Sequence, residues 1–138
     1  MEYTISEVSR RFGIAVSALR YYDEIGLLRP TGRARAVRTY GRDELERLAL
    51  IQVLHRDGLM TLNDTATALS ARIDNGRSVA RQALHRSLDR VRDQMRRLRE
   101  AEALLEHMLS CPAEEPIEGC PILAAQLEIA VEGALGAA

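Results

Sequence analysis

The chain has no lysine: all 19 of its basic residues are arginine. A GC-rich genome gives the same bias, so the placement of the arginines carries information and their abundance does not. Cysteine is nearly absent, with two residues in 138, and both fall in one short stretch, "SCPAEEPIEGCP". No basic-then-apolar leader opens the chain, and no apolar run approaches the roughly 20 residues needed to cross a bilayer. These absences point to the cytoplasm, where thiols stay reduced, and so weaken a structural disulfide as the reading of the two cysteines. Also missing are a phosphate-cradling glycine loop and any Ser-His-Asp, HExxH or paired-carboxylate pattern, which leaves an enzyme reading without support. The length suits one compact domain, or a small domain with an extension, and an apolar fraction of 46% allows a core.

Net charge is only −1, yet it is unevenly laid out. Between Arg10 and Arg42 there are eight arginines against Asp23 and Glu24, whereas from Ala101 onward there are seven glutamates and no arginine. The front is charged to meet a polyanion and the tail is not.

Thr4 or Ser6 can cap a first helix whose Ile5, Val8 and Phe12 recur at helical spacing, with Gly13 as its stop. A second helix follows from about Ala15 to Glu24, with Leu19 facing inward, and helix, glycine turn, helix is the helix-turn-helix pattern. Gly26, Pro30 and Gly32 break helix formation, and the β-favouring Val37, Thr39 and Tyr40 suit a small wing. Arg42 or Asp43 opens a third helix with an apolar stripe of Leu45, Leu48, Ile51, Val53 and Leu54, closed by Gly58; a shorter fourth helix ends before a turn at Asn75-Gly76.

From Ser78 to about Leu109 neither glycine nor proline occurs, and Leu84, Leu88, Val91, Met95, Leu98, Leu105 and Leu109 step at coiled-coil spacing, with Glu102 as a flaw. A helix of about 30 residues is roughly 45 Å long. So small a neighbouring domain cannot cover its stripe, and a second copy, parallel or antiparallel, is the simplest cover.

With these elements in this order, the chain resembles the MerR family of bacterial transcription regulators. The words that carry the resemblance are "ISEVSRRFGIAVSALRYYDEIGLLRP", with Arg20, Tyr21, Tyr22 and Asp23 before "GL", and "RTYGRDELERLALIQVLHRDGL", with Arg38 and Tyr40. The resemblance implies a mainly α fold: a winged helix-turn-helix DNA-binding domain over 1–75, a coiled-coil dimerisation helix over 76–110, and an effector loop with a C-terminal helix over 111–138. It implies a homodimer on near-palindromic promoter DNA, acting with RNA polymerase by distorting the duplex, whose bending energy is commensurate with binding energies. Ser17 and Arg20 lie one turn apart on one helix face. Arg20 reaches a phosphate or a guanine edge, Tyr22 stacks on the sugar-phosphate backbone and donates a hydrogen bond, and Arg33, Arg35 and Arg38 of the wing meet flanking phosphates. Tyr21 is expected to be a core ring under the wing. The family's usual asparagine-glycine-tyrosine before the wing arginine is here Arg35-Ala36-Val37, so Arg38 is a firmer contact than the shape of the wing.

The two cysteines resemble the loop that metal-sensing members place after the dimer helix, closest to the copper-efflux and mercury- or lead-responsive branches, with Cys120-Pro121-Ile122 as the matching word. Two thiolates are soft ligands suited to Cu(I) or Ag(I) in near-linear geometry. Divalent sensors add a thiol at the start of the partner's dimer helix, where this chain has Ser78, which points to monovalent ions. The eight-residue spacing between Cys111 and Cys120 equals the mercury type, so Hg(II) or Pb(II) is the alternative. The competing readings are buried packing residues, a redox-active pair, or regulation by a non-metal ligand. His107 is a further donor candidate. The tail is expected to form a short amphipathic helix through Leu123, Leu127 and Val131, resting on the loop or a partner chain and not on a membrane.

Overall fold

A computed structural model of the chain describes every residue except Ala113 and Ala138. It forms two compact units, Met1–Val91 and Arg92–Ala138. The elements run β1 (Tyr3–Thr4), α1 (Ile5–Phe12), α2 (Val16–Glu24), β2 (Gly32–Ala34), β3 (Val37–Tyr40), α3 (Arg42–Ile51), α4 (Leu62–Ala68), β4 (Ile73–Asp74), β5 (Arg77–Ser78), α5 (Val79–Leu109) and α6 (Pro121–Gly136).

In the first unit Thr4 starts α1 with a capping box: its hydroxyl accepts from the Glu7 amide, and the Glu7 carboxylate accepts from the Thr4 amide at 2.8 Å. The Thr4 amide, then its hydroxyl, hold the Glu7 carboxyl below the usual carboxylate range. Gly13 ends the helix at φ 62°, a left-handed cap that glycine adopts without a Cβ penalty. α1 and α2 then close on a core of Ile5, Val8, Leu19, Tyr22, Leu27, Leu28, Tyr40, Leu48 and Ile51. Each fully buried leucine contributes roughly 1.5–3 kcal/mol by leaving water. Strand β1, which the sequence reading lacked, pairs with β3, and β3 with β2, giving an antiparallel sheet ordered β1-β3-β2. The wing is thereby stitched to the chain's first residues through Tyr3↔Tyr40 and Thr4↔Thr39.

After Ile51 the helix widens over Gln52–Asp57, where the Gly58 amide reaches back five residues to the Val53 carbonyl at 2.8 Å. A Cβ on Gly58 would stand 2.7 Å from the Leu54 carbonyl oxygen, so only glycine fits there. The widening also turns Val53 out to solvent, against its expected place in the apolar stripe. The Asn75-Gly76 turn joins a two-stranded ribbon, β4 and β5, that carries the chain into α5.

The start of α5 belongs to the first unit. Ala83 and Ser87 are buried, and buried Asp64 of α4 accepts from Arg86 at 3.2 Å and from Arg90. The Arg90 hydrogen bond is the largest cause of a lowered Asp64 pKa. A depressed folded value means that this pairing adds stability above the range where a free aspartate titrates and loses it as pH falls through the lower folded value. A segment boundary at 75/76 is therefore no gap in packing.

In the second unit α5 continues to Leu109 and the chain turns into α6. The expected amphipathic tail is corrected. Ile122, Leu127, Ile129, Val131 and Leu135 are all exposed; Leu127, Val131 and Leu135 step by four along one face of α6, while Ile122 and Ile129 stand on the opposite face, with the acids Glu128 and Glu132 between. No helix among the described residues is long and apolar enough to cross a membrane.

The wing turn has one local cost. β2 and β3 are joined by two residues, Arg35 at φ 50° and Ala36 at φ 67°, the left-handed pair of a type I′ turn that usually takes Asn-Gly. A left-handed residue with a Cβ costs roughly 1–2 kcal/mol. Ala36→Gly should therefore raise stability by about 1 kcal/mol, or several degrees in thermal midpoint. Calorimetry would show it, and a lowered midpoint would mean that the turn bears no such strain.

Candidate nucleic-acid interface and cysteine loop

Helix α2 has a buried and an exposed edge. Leu19 and Tyr22, three residues apart, point into the core, and this places Ser17, Arg20, Tyr21 and Glu24 on the outward stripe. Ser17 and Arg20 are thus exposed on one face, as their spacing indicates. The two tyrosines exchange the places expected of them: Tyr22 is 7% exposed and Tyr21 49%. A buried ring cannot stack on a nucleic-acid backbone, so the stacking role of Tyr22 is withdrawn, as is the core role of Tyr21. Burial raises the Tyr22 phenol's pKa. The inward Leu19 carried this information, since the residue three positions on shares its side of the helix.

The wing carries three arginines in two situations. Arg33 and Arg35 are exposed. Arg38 is paired: its Nε–H donates to Asp23 Oδ2 at 2.8 Å, with the two side chains 25% and 22% exposed. That hydrogen bond is the first cause of a raised Arg38 pKa. The register sets Arg33 directly across from Arg38, like charge against like. Arg11 on α1 lies 5.1 Å from the centre of the Tyr3 ring, a cation–π contact that holds it beside the sheet. Asp23 was missed as a site residue. Its signal in the sequence was an acid in the last turn of a helix, where the macrodipole disfavours negative charge.

Cys120 is the N-cap of α6, buried, with Pro121 at the first helical position and its Sγ accepting from the Leu123 amide at 3.4 Å. Cys111 follows the end of α5, half-buried, its amide donating to the Met108 carbonyl at 3.3 Å. Both are free thiols. Among the described residues no group of three or more His, Cys, Asp or Glu is placed to hold a metal ion, so His107 does not complete a site; its carbonyl accepts from the Ser110 hydroxyl. Ser78 has a structural task at the start of α5, where its Oγ accepts from the Arg81 amide at 3.2 Å.

Comparison with known proteins adds four findings. The family described as MerR HTH family regulatory protein matches residues 3–71, half of the chain. A SoxR homolog of Chromobacterium violaceum, described as an HTH-type transcriptional activator, is 40% identical over 67 residues, 49% of this chain; the match spans 45% of that protein's length, under half of it. The mercuric resistance operon regulatory protein of Bacillus cereus is 26% identical over 129 residues, 89% of this chain and 96% of that one. Among solved structures, HiNmlR, a MerR family regulator lacking the sensor domain and bound to promoter DNA, superposes with a TM-score of 0.57 at 28% identity over 80% of this chain and 89% of its own.

The tyrosine exchange has a direct check. Tyr22→Ala removes a buried ring and should cost about 3–5 kcal/mol, whereas Tyr21→Ala should stay within about 0.5 kcal/mol of the parent. Urea unfolding of both variants measures the contrast. Equal losses would return Tyr21 to the core.

Proposed function

The chain belongs to the MerR HTH family of regulatory proteins, and from that premise we propose that it binds promoter DNA as a homodimer and is switched by a soft metal ion held at Cys111 and Cys120. Membership makes it a transcription regulator, and the finer reading is supported by how the charges, apolar faces and thiols are arranged.

The outward stripe of α2 and the wing are the two elements that reach DNA. Ser17 and Arg20 face the major groove, where arginine reads guanine or holds a phosphate. The Tyr22 hydroxyl donates to a phosphate from a buried ring, and Arg33, Arg35 and Arg38 meet the flanking backbone. That HiNmlR was solved on promoter DNA with a similar fold supports this assignment. Transcription is then changed by distorting the promoter, for which smooth bending costs of order 1–6 kcal/mol, a sum that a dimer's contacts can supply.

The dimer reading rests on α5. Leu84, Leu88, Met95, Leu98, Leu105 and Leu109 are all exposed along this 31-residue helix, Leu98 at 62%. Orientation follows from charge. Residues 79–99 hold seven arginines against Asp89 and Asp93, whereas 100–109 hold three glutamates and no arginine. An antiparallel pair sets each basic stretch beside the partner's acidic one, and a parallel pair sets like beside like. Light scattering should find a dimer for the parent and a monomer for Leu98→Glu, since that carboxylate would enter the seam. A Leu98→Glu dimer would move the interface elsewhere.

The observation that carries the metal reading is the donor set itself: the chain's two thiols, one buried at the start of α6 and one half-buried just beyond α5, without a third donor grouped with them among the described residues. Two sulfurs without a third ligand fit a soft ion content with two-coordinate geometry, Cu(I) or Ag(I), and Hg(II) by the same chemistry; Zn(II) and Pb(II) ask for more donors. Cys111 and Cys120 would hold such an ion as thiolates, giving up their protons to it. The relative named for mercuric resistance matches nearly its whole length and supports a soft metal. Ser78, occupied as a helix cap, contributes no ligand.

Anaerobic titration of reduced protein with Cu(I), Ag(I), Hg(II), Zn(II) and Pb(II) should give one tightly bound soft ion per protomer, with affinity falling as pH drops and protons reclaim the sulfurs. Cys111→Ser with Cys120→Ser should abolish both binding and induction from the chain's own promoter. Normal induction in the double variant would make the cysteines bystanders and turn the search to an organic ligand or to oxidation.

A further inference from the structure

Two local arrangements in the DNA-reaching region are unfavourable taken alone. Helix α2 ends with Asp23 and Glu24 and no basic residue in its last turn, so two carboxylates sit at the negative end of the helix dipole. The wing ribbon sets Arg33 straight across from Arg38, and the tip beyond them adds a third arginine, Arg35. One ion pair relieves both. Asp23 Oδ2 accepts from Arg38 Nε at 2.8 Å, bridging the last turn of α2 to the middle of β3 across 15 residues of chain. With both side chains about three-quarters covered, the pair is less screened by salt than a surface pair. The Nε edge is engaged, and the terminal nitrogens of Arg38 make no hydrogen bond among the described residues. Below the pair, Tyr40 lies on the same face of β3 as Arg38, fully buried, its hydroxyl without a partner. That phenol is raised first by burial and then by the Asp23 carboxylate, and lowered by Arg38, so all three groups share one electrostatic environment.

We propose that Asp23 is a positioning residue for DNA recognition: by holding Arg38 through Nε it fixes the wing to the recognition helix and aims the free edge of the Arg38 guanidinium at the DNA backbone. The inference deepens the promoter-binding reading and rests on it. A carboxylate so near a polyanion repels it, so for binding the geometry it enforces must be worth more than the repulsion it adds.

That opposition of signs makes the test. Asp23→Asn removes the negative charge and the ion pair while keeping shape. Binding of the full-length dimer would be measured by fluorescence anisotropy at one fixed salt concentration, on a fragment carrying the chain's own promoter and on a shuffled fragment of equal length. We expect Asp23→Asn to bind the shuffled DNA somewhat more tightly and the promoter about tenfold more weakly, the size of one lost specific contact. Hydroxyl-radical footprints should lose protection at the outer, wing-facing positions and keep it where α2 lies; Arg20→Ala should do the reverse. Asp23→Glu restores the charge and should recover most of the promoter affinity, and it serves also if the asparagine variant fails to fold. If Asp23→Asn tightens both fragments by the same factor with an unchanged footprint, Asp23 is an electrostatic bystander and the inference is overturned. If the parent protein does not distinguish its promoter from the shuffled fragment, the promoter-binding reading fails and takes the inference with it.

Discussion

Repulsion among arginines is the constraint around which the first unit is arranged. Eight arginines fall between positions 10 and 42, where a surface for a polyanion needs them, and more crowd the start of α5. Two aspartates answer them inside the fold. Asp64 holds Arg86 and Arg90 where α4 meets α5, and Asp23 holds Arg38 where α2 meets the wing. Each aspartate sits where two elements join, so the same pairs that relieve repulsion also fix angles between elements. A carboxylate covered on most sides cannot lose its partner cheaply, which makes these joints stiffer than surface ion pairs. Arg20, Arg33 and Arg35 belong to the arginines without such a partner among the described residues, and they are exposed.

A second constraint is apolar surface without cover. The first unit buries its own core around Leu19, Leu48 and Ile51, but α5 keeps a leucine stripe exposed and α6 exposes apolar residues on two opposite faces. Exposed apolar faces of this kind are stabilised when something covers them. One copy of the chain therefore leaves surface that association would remove, and the charge polarity along α5 restricts how two copies can meet. The two constraints act together: electrostatics selects among arrangements that the hydrophobic effect demands.

How much of this was legible in the sequence depended on whether one residue or two decided the matter. Helix positions were readable, since Thr4, Gly13 and Gly58 act locally and the leucine spacing of α5 is periodic. The turn at Asn75-Gly76 was readable, while the short ribbon around it was too brief to show a strand pattern. Strand β1 was invisible because Tyr3 and Thr4 become a strand only through pairing with Tyr40 and Thr39. The tyrosine exchange was decidable from the inward Leu19, yet the motif word drew attention to Tyr22 as a contact before its helical phase was considered. In the second unit the cysteines were legible as a pair near the end of a long helix, but the role of Cys120 as the cap of α6 needed the backbone. The amphipathic reading of α6 picked apolar positions that share a face, to which Leu135 also belongs, and passed over Ile122 and Ile129 on the opposite face.

The places where local rules fail are unevenly spread. Much of the first unit obeys them: α1 and α4 start on threonine caps, Gly13 and Gly26 stand at positive φ, and Gly58 stands where a Cβ would clash. Leu59 at φ 54° and Ala71 at φ 52° take left-handed backbone elsewhere in the first unit, and a further group of exceptions falls at the wing and the end of α2. Arg35 and Ala36 occupy left-handed backbone, Arg33 faces Arg38, and Asp23 with Glu24 closes a helix at its unfavourable end. Selection for stability alone would have placed Asn-Gly in the turn, a neutral partner across from Arg38 and a basic residue at the end of α2. The region departs from its own stability optimum in three ways within 16 residues, from Asp23 to Arg38, two of them coupled through the Asp23–Arg38 pair, and such clustering is typical of a functional surface. The exposed arginines there fit the promoter-binding reading proposed above, in which the wing and α2 present arginine to a polyanion at a fixed spacing, a need that local stability does not share.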